Sequence, residues 1–105
     1  MFSEKNRNPV IKLNSIPENG CKIVLHDNIP LAVFRMNGYV YALDNRCPHR
    51  GGSLGNGELK NGIVTCPVHE WQFAINTGIC TQNNEIKVKS YPVEVLDEKV
   101  SITIG

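Results

Sequence analysis

Three observations predict an all-β fold. Short runs rich in branched and aromatic residues recur along the chain, and Asn-Gly pairs or polar turns separate them. No apolar spacing of helical period persists over three turns. Residues 10–13, 21–25 and 30–36 read as the first strands. Asn37-Gly38 then separates Met36 from a strand at 39–43, and this pair accommodates the positive φ angles of a tight type I′ hairpin. Asn61-Gly62 repeats the device between 58–60 and 63–65, and Asp97-Glu98-Lys99 joins 93–96 to 100–104. The expected architecture is a base of antiparallel strands drawn from both ends of the chain. A smaller subdomain spanning roughly residues 45–80 is inserted between them.

The 105 residues leave room for one domain, 1–105. Eleven basic and ten acidic residues nearly balance, so neither a nucleic-acid-binding stripe nor a disordered acidic tail is expected. The apolar runs fall far short of the roughly 18–20 residues of a membrane span. Residues 1–9 are polar and lack the apolar core of a secretory signal. The expectation is a soluble, cytoplasmic protein with no membrane partner.

Chemistry is concentrated in two half-motifs. Cys47-Pro48-His49 is followed, after sixteen residues, by Cys66-Pro67-Val68-His69. Each half offers one thiolate and one imidazole, with Cys before His, which suggests a metal site closed by two loop tips. Two Cys and two His can also satisfy tetrahedral zinc. Zinc modules generally pair like ligands at C-x₂₋₄-C and H-x₃₋₅-H spacings, so the mixed halves here fit zinc poorly.

The run from Asn45 through Cys47, His49 and Arg50 to Gly52, and the run from Cys66 through His69 and Trp71 to Phe73, resemble the two cluster loops of soluble Rieske-type [2Fe–2S] ferredoxins. The Asn76-Thr77-Gly78 turn and the Ser90-Tyr91-Pro92-Val93 strand fit the same pattern. The resemblance implies a Rieske-type β-sandwich base with an inserted cluster-binding subdomain and one [2Fe–2S] cluster. Cys47 and Cys66 would hold one iron, and His49 and His69 the other, with the His pair nearest solvent. Neutral imidazoles in place of two thiolates make electron uptake easier, raising the potential from roughly −400 mV to about −150 to +300 mV.

Departures from the high-potential members carry information. Positions where those proteins place a bracing disulfide hold Gly52 and Val68. Positions where they place Ser and Tyr hydroxyls hold Trp71 and Phe73. Fewer donors to the cluster sulfurs imply a midpoint at the low end of the window.

Remaining residues receive ordinary roles. Gly51 and Gly52 are expected to permit close backbone approach to the cluster, and Gly55 and Gly57 to be plain turn residues. Cys21 and Cys80 read as small buried hydrophobes, with a bridge between them left open. Trp71 reads as a core aromatic behind the second loop, and His26 as a surface strand residue. His26 alone cannot complete the two-His, one-carboxylate iron site of a ring-hydroxylating oxygenase, so oxygen chemistry is assigned to another polypeptide.

The implied function is that of an electron carrier, not catalytic alone. It would take one electron from a flavoprotein reductase and pass it to a terminal oxygenase. Docking would use an exposed tip of Cys47, Pro48, His49, Arg50, Leu54, Pro67 and His69. Free nitrogens on His49 and His69 would link reduction to protonation. The alternative is the small subunit of an NAD(P)H-dependent nitrite reductase, with the large subunit as acceptor. The acidic stretch frequent in that group after the Thr-Gly turn is replaced here by Thr81-Gln82-Asn83-Asn84-Glu85, which favours the carrier.

Overall fold

Each strand alternates faces, and the distribution of buried residues on those faces sets the layering. In the computed structural model, residues 8–48, 51–68 and 70–104 are described. Among them, ten strands form three antiparallel sheets and no α-helix is present. β1 (Val10–Lys12), β10 (Lys99–Ile102) and β9 (Val93–Leu96) make a terminal sheet in the order β1-β10-β9. β2 (Gly20–His26), β3 (Ile29–Met36), β4 (Tyr39–Asp44) and β8 (Ser90–Tyr91) make the central sheet. β5 (Glu58–Lys60), β6 (Ile63–Thr65) and β7 (Gln72–Ala74) make the third.

β3 explains why the layers stack as they do. Leu31 and Val33 point to one face and Ala32 and Phe34 to the other, and all four are at most 1% exposed. The first pair joins Ala42, Tyr91, Val100 and Ile102 in a core shared with the terminal sheet. The second pair joins Leu43, Leu54, Val64 and Phe73 in a core shared with the third sheet. A strand buried on both sides has no solvent face, which is why 30–36 reads as a near-continuous apolar run.

The hairpins largely follow the sequence. Asn37 and Asn61 have φ of 54°, and Gly38 and Gly62 have 81° and 80°. Two further tight turns use no glycine at all. Asp27-Asn28 joins β2 to β3 with φ of 50° and 67°, and Asp97-Glu98 joins β9 to β10 with 53° and 63°. The last connection is therefore two residues long, with Lys99 already paired to Leu96, rather than the three residues expected. Among the described residues, no helix is long and apolar enough to cross a membrane.

Candidate metal centre

Two hairpin tips build the site. The first grows from the end of β4. Leu54 N–H donates to the Asn45 carbonyl at 2.9 Å, Arg46 pairs with Ser53, and Cys47 N–H donates to the Gly52 carbonyl at 2.8 Å. The second is the tip of the β6–β7 hairpin. Its ladder ends at Thr65 opposite Gln72, and beyond it Cys66 N–H donates to the Trp71 carbonyl at 2.7 Å. In both, the Cys amide closes on the carbonyl five residues later, so each Cys is the last paired residue before its tip. An exposed proline, Pro48 or Pro67, follows each.

The closures bring the two thiols together. Cys47 is 2% exposed and Cys66 0%, their side chains are in hydrogen-bonding contact, and neither is in a disulfide. Burial pushes the Cys66 thiol up, the Val68 N–H donating to it pulls the other way, and the neighbouring Cys47 thiol adds to the rise. Gly52 makes the approach feasible: a Cβ there would lie 2.8 Å from Val68 Cγ2 and 3.0 Å from Cys66 Sγ. Gly51 has a conformational requirement of its own. Its Cβ would meet nothing within 4 Å, but its φ is 70°, a left-handed conformation that glycine adopts without strain.

Gly55 and Gly57 are not plain turn residues. Gly55 lies within the 3₁₀ turn Leu54–Asn56 and Gly57 directly follows it, and the turn is wedged between Ile23 of β2 and Thr65 of β6. A Cβ on Gly55 would lie 2.6 Å from Ile23 Cγ1, and one on Gly57 would collide with the Thr65 carbonyl. The requirement comes from packing between segments distant in sequence, which no local pattern displays.

Asn45 is a site residue that sequence reasoning credited with nothing beyond motif membership. It is buried, and every polar group on it is matched. Its side-chain amide donates to Ser53 Oγ at 2.9 Å, and its side-chain oxygen accepts from Gly55 N–H at 2.6 Å. Its own N–H donates to the Pro30 carbonyl at 2.8 Å. Its neighbours form a charged clasp: Arg46 Nε and Nη2 reach the Asp44 carboxylate at 2.9 and 2.7 Å, and Arg46 N–H adds a third bond. Burial alone would push the Asp44 carboxyl up. Arg46, with Lys89 nearby, outweighs it and holds the group below its ordinary value.

Other expectations are met unevenly. His49, Arg50 and His69 lie outside the described residues. Leu54 and Cys47 are buried, so they do not belong to an exposed tip; both face inward from the first hairpin into the core shared with the third sheet. Cys21 and Cys80 are both free and both pack on that core, as small hydrophobes would. Trp71 is half-buried against it and Phe73 is fully within it. His26 is a strand residue, closing β2, but it is partly buried: its side chain is 18% exposed, and its Nε2 lies 3.5 Å from an Asp27 carboxylate oxygen.

Two free thiols, buried and in contact at the ends of facing hairpins, are a donor set suited to one soft metal ion held between them. Among the described residues no third metal-ligating side chain joins them. Residues 6–92 match the family model of the Rieske [2Fe-2S] domain. The chain belongs to that family, and its cofactor is a Rieske-type [2Fe–2S] cluster.

Its relatives and structural neighbours fall into two groups. It is 32% identical over 100 residues to the ferredoxin component of the naphthalene 1,2-dioxygenase system of Pseudomonas aeruginosa, covering 90% of this chain and 92% of that one. It superposes with a TM-score of 0.80, at 25% identity, on a chain of the complex of reduced oxygenase and oxidized ferredoxin in carbazole 1,9a-dioxygenase; 90% of this chain and 92% of that one are covered. A putative NADH-dependent nitrite reductase small subunit from Mycobacterium tuberculosis shares the fold with a TM-score of 0.83. Identity there is 21%, and coverage is 95% and 98%.

Proposed function

We propose that this protein is a cytoplasmic electron carrier in which Cys47 and Cys66 hold one iron of the cluster and His49 and His69 the other. Its electron would come from a flavoprotein reductase and go to a terminal oxygenase. The observation that carries this reading is the contact between the Cys47 and Cys66 thiols at two hairpin tips closed by the same hydrogen bond. When bound, the cluster supplies one-electron uptake and release at a Rieske-type potential.

The chain's own residues supply the rest. The two hairpins fix the thiolates, Gly52 lets the loops meet, and the buried Leu54, Val64 and Phe73 keep water from the inner side. Pro48 and Pro67 leave the outer side as a small rigid contact surface, suited to a brief redox encounter. The oxygenase assignment draws on the ferredoxin components to which the chain is similar over nearly its whole length. The nitrite reductase likeness is one of fold, and residues 81–85 depart from that group's acidic stretch.

Anaerobically purified protein should contain about two irons and two acid-labile sulfides per chain and give an EPR signal on reduction. Cys47→Ala and His69→Ala should each abolish that signal. Loss of iron binding in the cysteine variant alone would refute the assignment of His69.

A further inference from the structure

The two cysteine hairpins close alike but are held differently. Behind Cys66 stands a regular ladder, with Ile63 opposite Ala74, Val64 opposite Phe73 and Thr65 opposite Gln72, and β5 flanks it on the other edge. Behind Cys47 the pairing is shorter, an Arg46–Ser53 bridge and the Leu54 N–H bond to the Asn45 carbonyl. The chain leaves β4 at Asp44, and the return limb, from Gly52 through Ser53 to Leu54, passes at once into a 3₁₀ turn.

The Asn45 side chain reinforces this short pairing and carries it into the turn. One arm of its amide grips Ser53 on the return limb and the other grips the Gly55 amide inside the turn. Between those two anchors lies Leu54, 0% exposed and packed in the same core as both cysteines. Asn45 N–H, bonded to Pro30, ties the whole assembly to the central sheet. Movement of Cys47 relative to Cys66 thus requires the Asn45 side-chain bonds to stretch along with a few backbone bonds, whereas the Cys66 side is fixed by a three-stranded ladder.

We propose that Asn45 is the positioning residue that fixes Cys47 against Cys66, and through that geometry sets the electronic properties of the bound cluster. This rests on the assignment of both cysteines as iron ligands. The protein reports it through spectroscopy as well as stability, because spread in ligand geometry broadens an EPR spectrum while loss of remote packing does not.

The test uses cluster-loaded protein, with wild type first showing the reduced Rieske EPR signal; if that signal is absent, the ligand assignment itself has failed. Asn45→Ala should broaden the EPR lines, shift the midpoint and speed cluster loss at least tenfold. Ser53→Ala, which removes one of the two side-chain bonds, should show the same changes in smaller degree and serves where Asn45→Ala does not fold. Asn45→Asp retains the acceptor for Gly55 N–H and lets the Ser53 hydroxyl turn to donate, so it should restore the narrow lines. Val100→Ala, in the core shared with the terminal sheet, should lower the melting temperature without changing the spectrum. Wild-type line shape and midpoint in Ser53→Ala and in folded Asn45→Ala, or broadening equal to theirs in Val100→Ala, would overturn the proposal.

Discussion

Gly51 and Glu70 stand at the same place in the two hairpin tips, four residues after Cys47 and Cys66, and both are left-handed, with φ of 70° and 56°. A left-handed residue other than glycine costs roughly 1–2 kcal/mol, partly offset because glycine loses more entropy on folding. Glu70→Gly should therefore stabilise the loaded protein by about 0.5–1 kcal/mol, and Gly51→Ala should destabilise it by about 1 kcal/mol. Denaturant titrations of the two variants beside wild type should move in opposite directions.

Gly57 has the harsher constraint, since a Cβ there would run into the Thr65 carbonyl and backbone cannot swing aside as a side chain can. Gly57→Ala should cost about 3 kcal/mol, at the upper end of overpacking penalties. Thermal melts should show it, together with reduced iron content, because Thr65 directly precedes Cys66.

The Asp44–Arg46 clasp predicts a dependence on acid. The folded Asp44 carboxyl is held below its ordinary value, so its stabilising contribution is complete above the unfolded pKa of about 3.9. It disappears as pH falls through the lower folded value. The stability difference between wild type and Asp44→Asn should stay constant from neutral pH to about 5 and close below about 4. A difference that persisted unchanged into strong acid would contradict the assignment.

Cys21 should be chemically silent. Burial pushes its thiol up to about 12, against a smaller opposing effect of a hydrogen bond with the Val33 backbone. At about pH 8 only some one in 10⁴ of the molecules would carry the thiolate, the form that reacts. Peptide mapping after iodoacetamide treatment of the folded, loaded protein should find Cys21 unmodified.

With Trp71 and Phe73 where hydroxyl donors would raise the potential, redox titration should give a midpoint near the lower limit of the Rieske window, about −150 mV. Phe73→Tyr, which adds a hydroxyl within the cluster-side core, should move it upward.

The legible parts of this protein are those whose cause is local. Asn37-Gly38 and Asn61-Gly62 announce their hairpins because the side chains that tolerate positive φ are named in the sequence. Asp97-Glu98 makes the same turn with residues that give no such signal, so the connection reads one residue too long. The Cys/His spacing discloses the chemistry, and both cysteines meet as the motif requires. Burial of Leu54, the wedging of Gly55 and Gly57, and the bonds of Asn45 all arise from segments that approach only once the sheets have assembled. Their residue types are common in ordinary loops, so nothing in the string marks them.

Neighbouring positions on β3 speak to opposite halves of the molecule. Enlarging Ala32 would press toward the redox compartment and enlarging Val33 toward the scaffold, although their Cα atoms are one peptide apart. Drift in this strand is thus policed from two directions at once, and a repair made for one compartment is felt through the partition by the other.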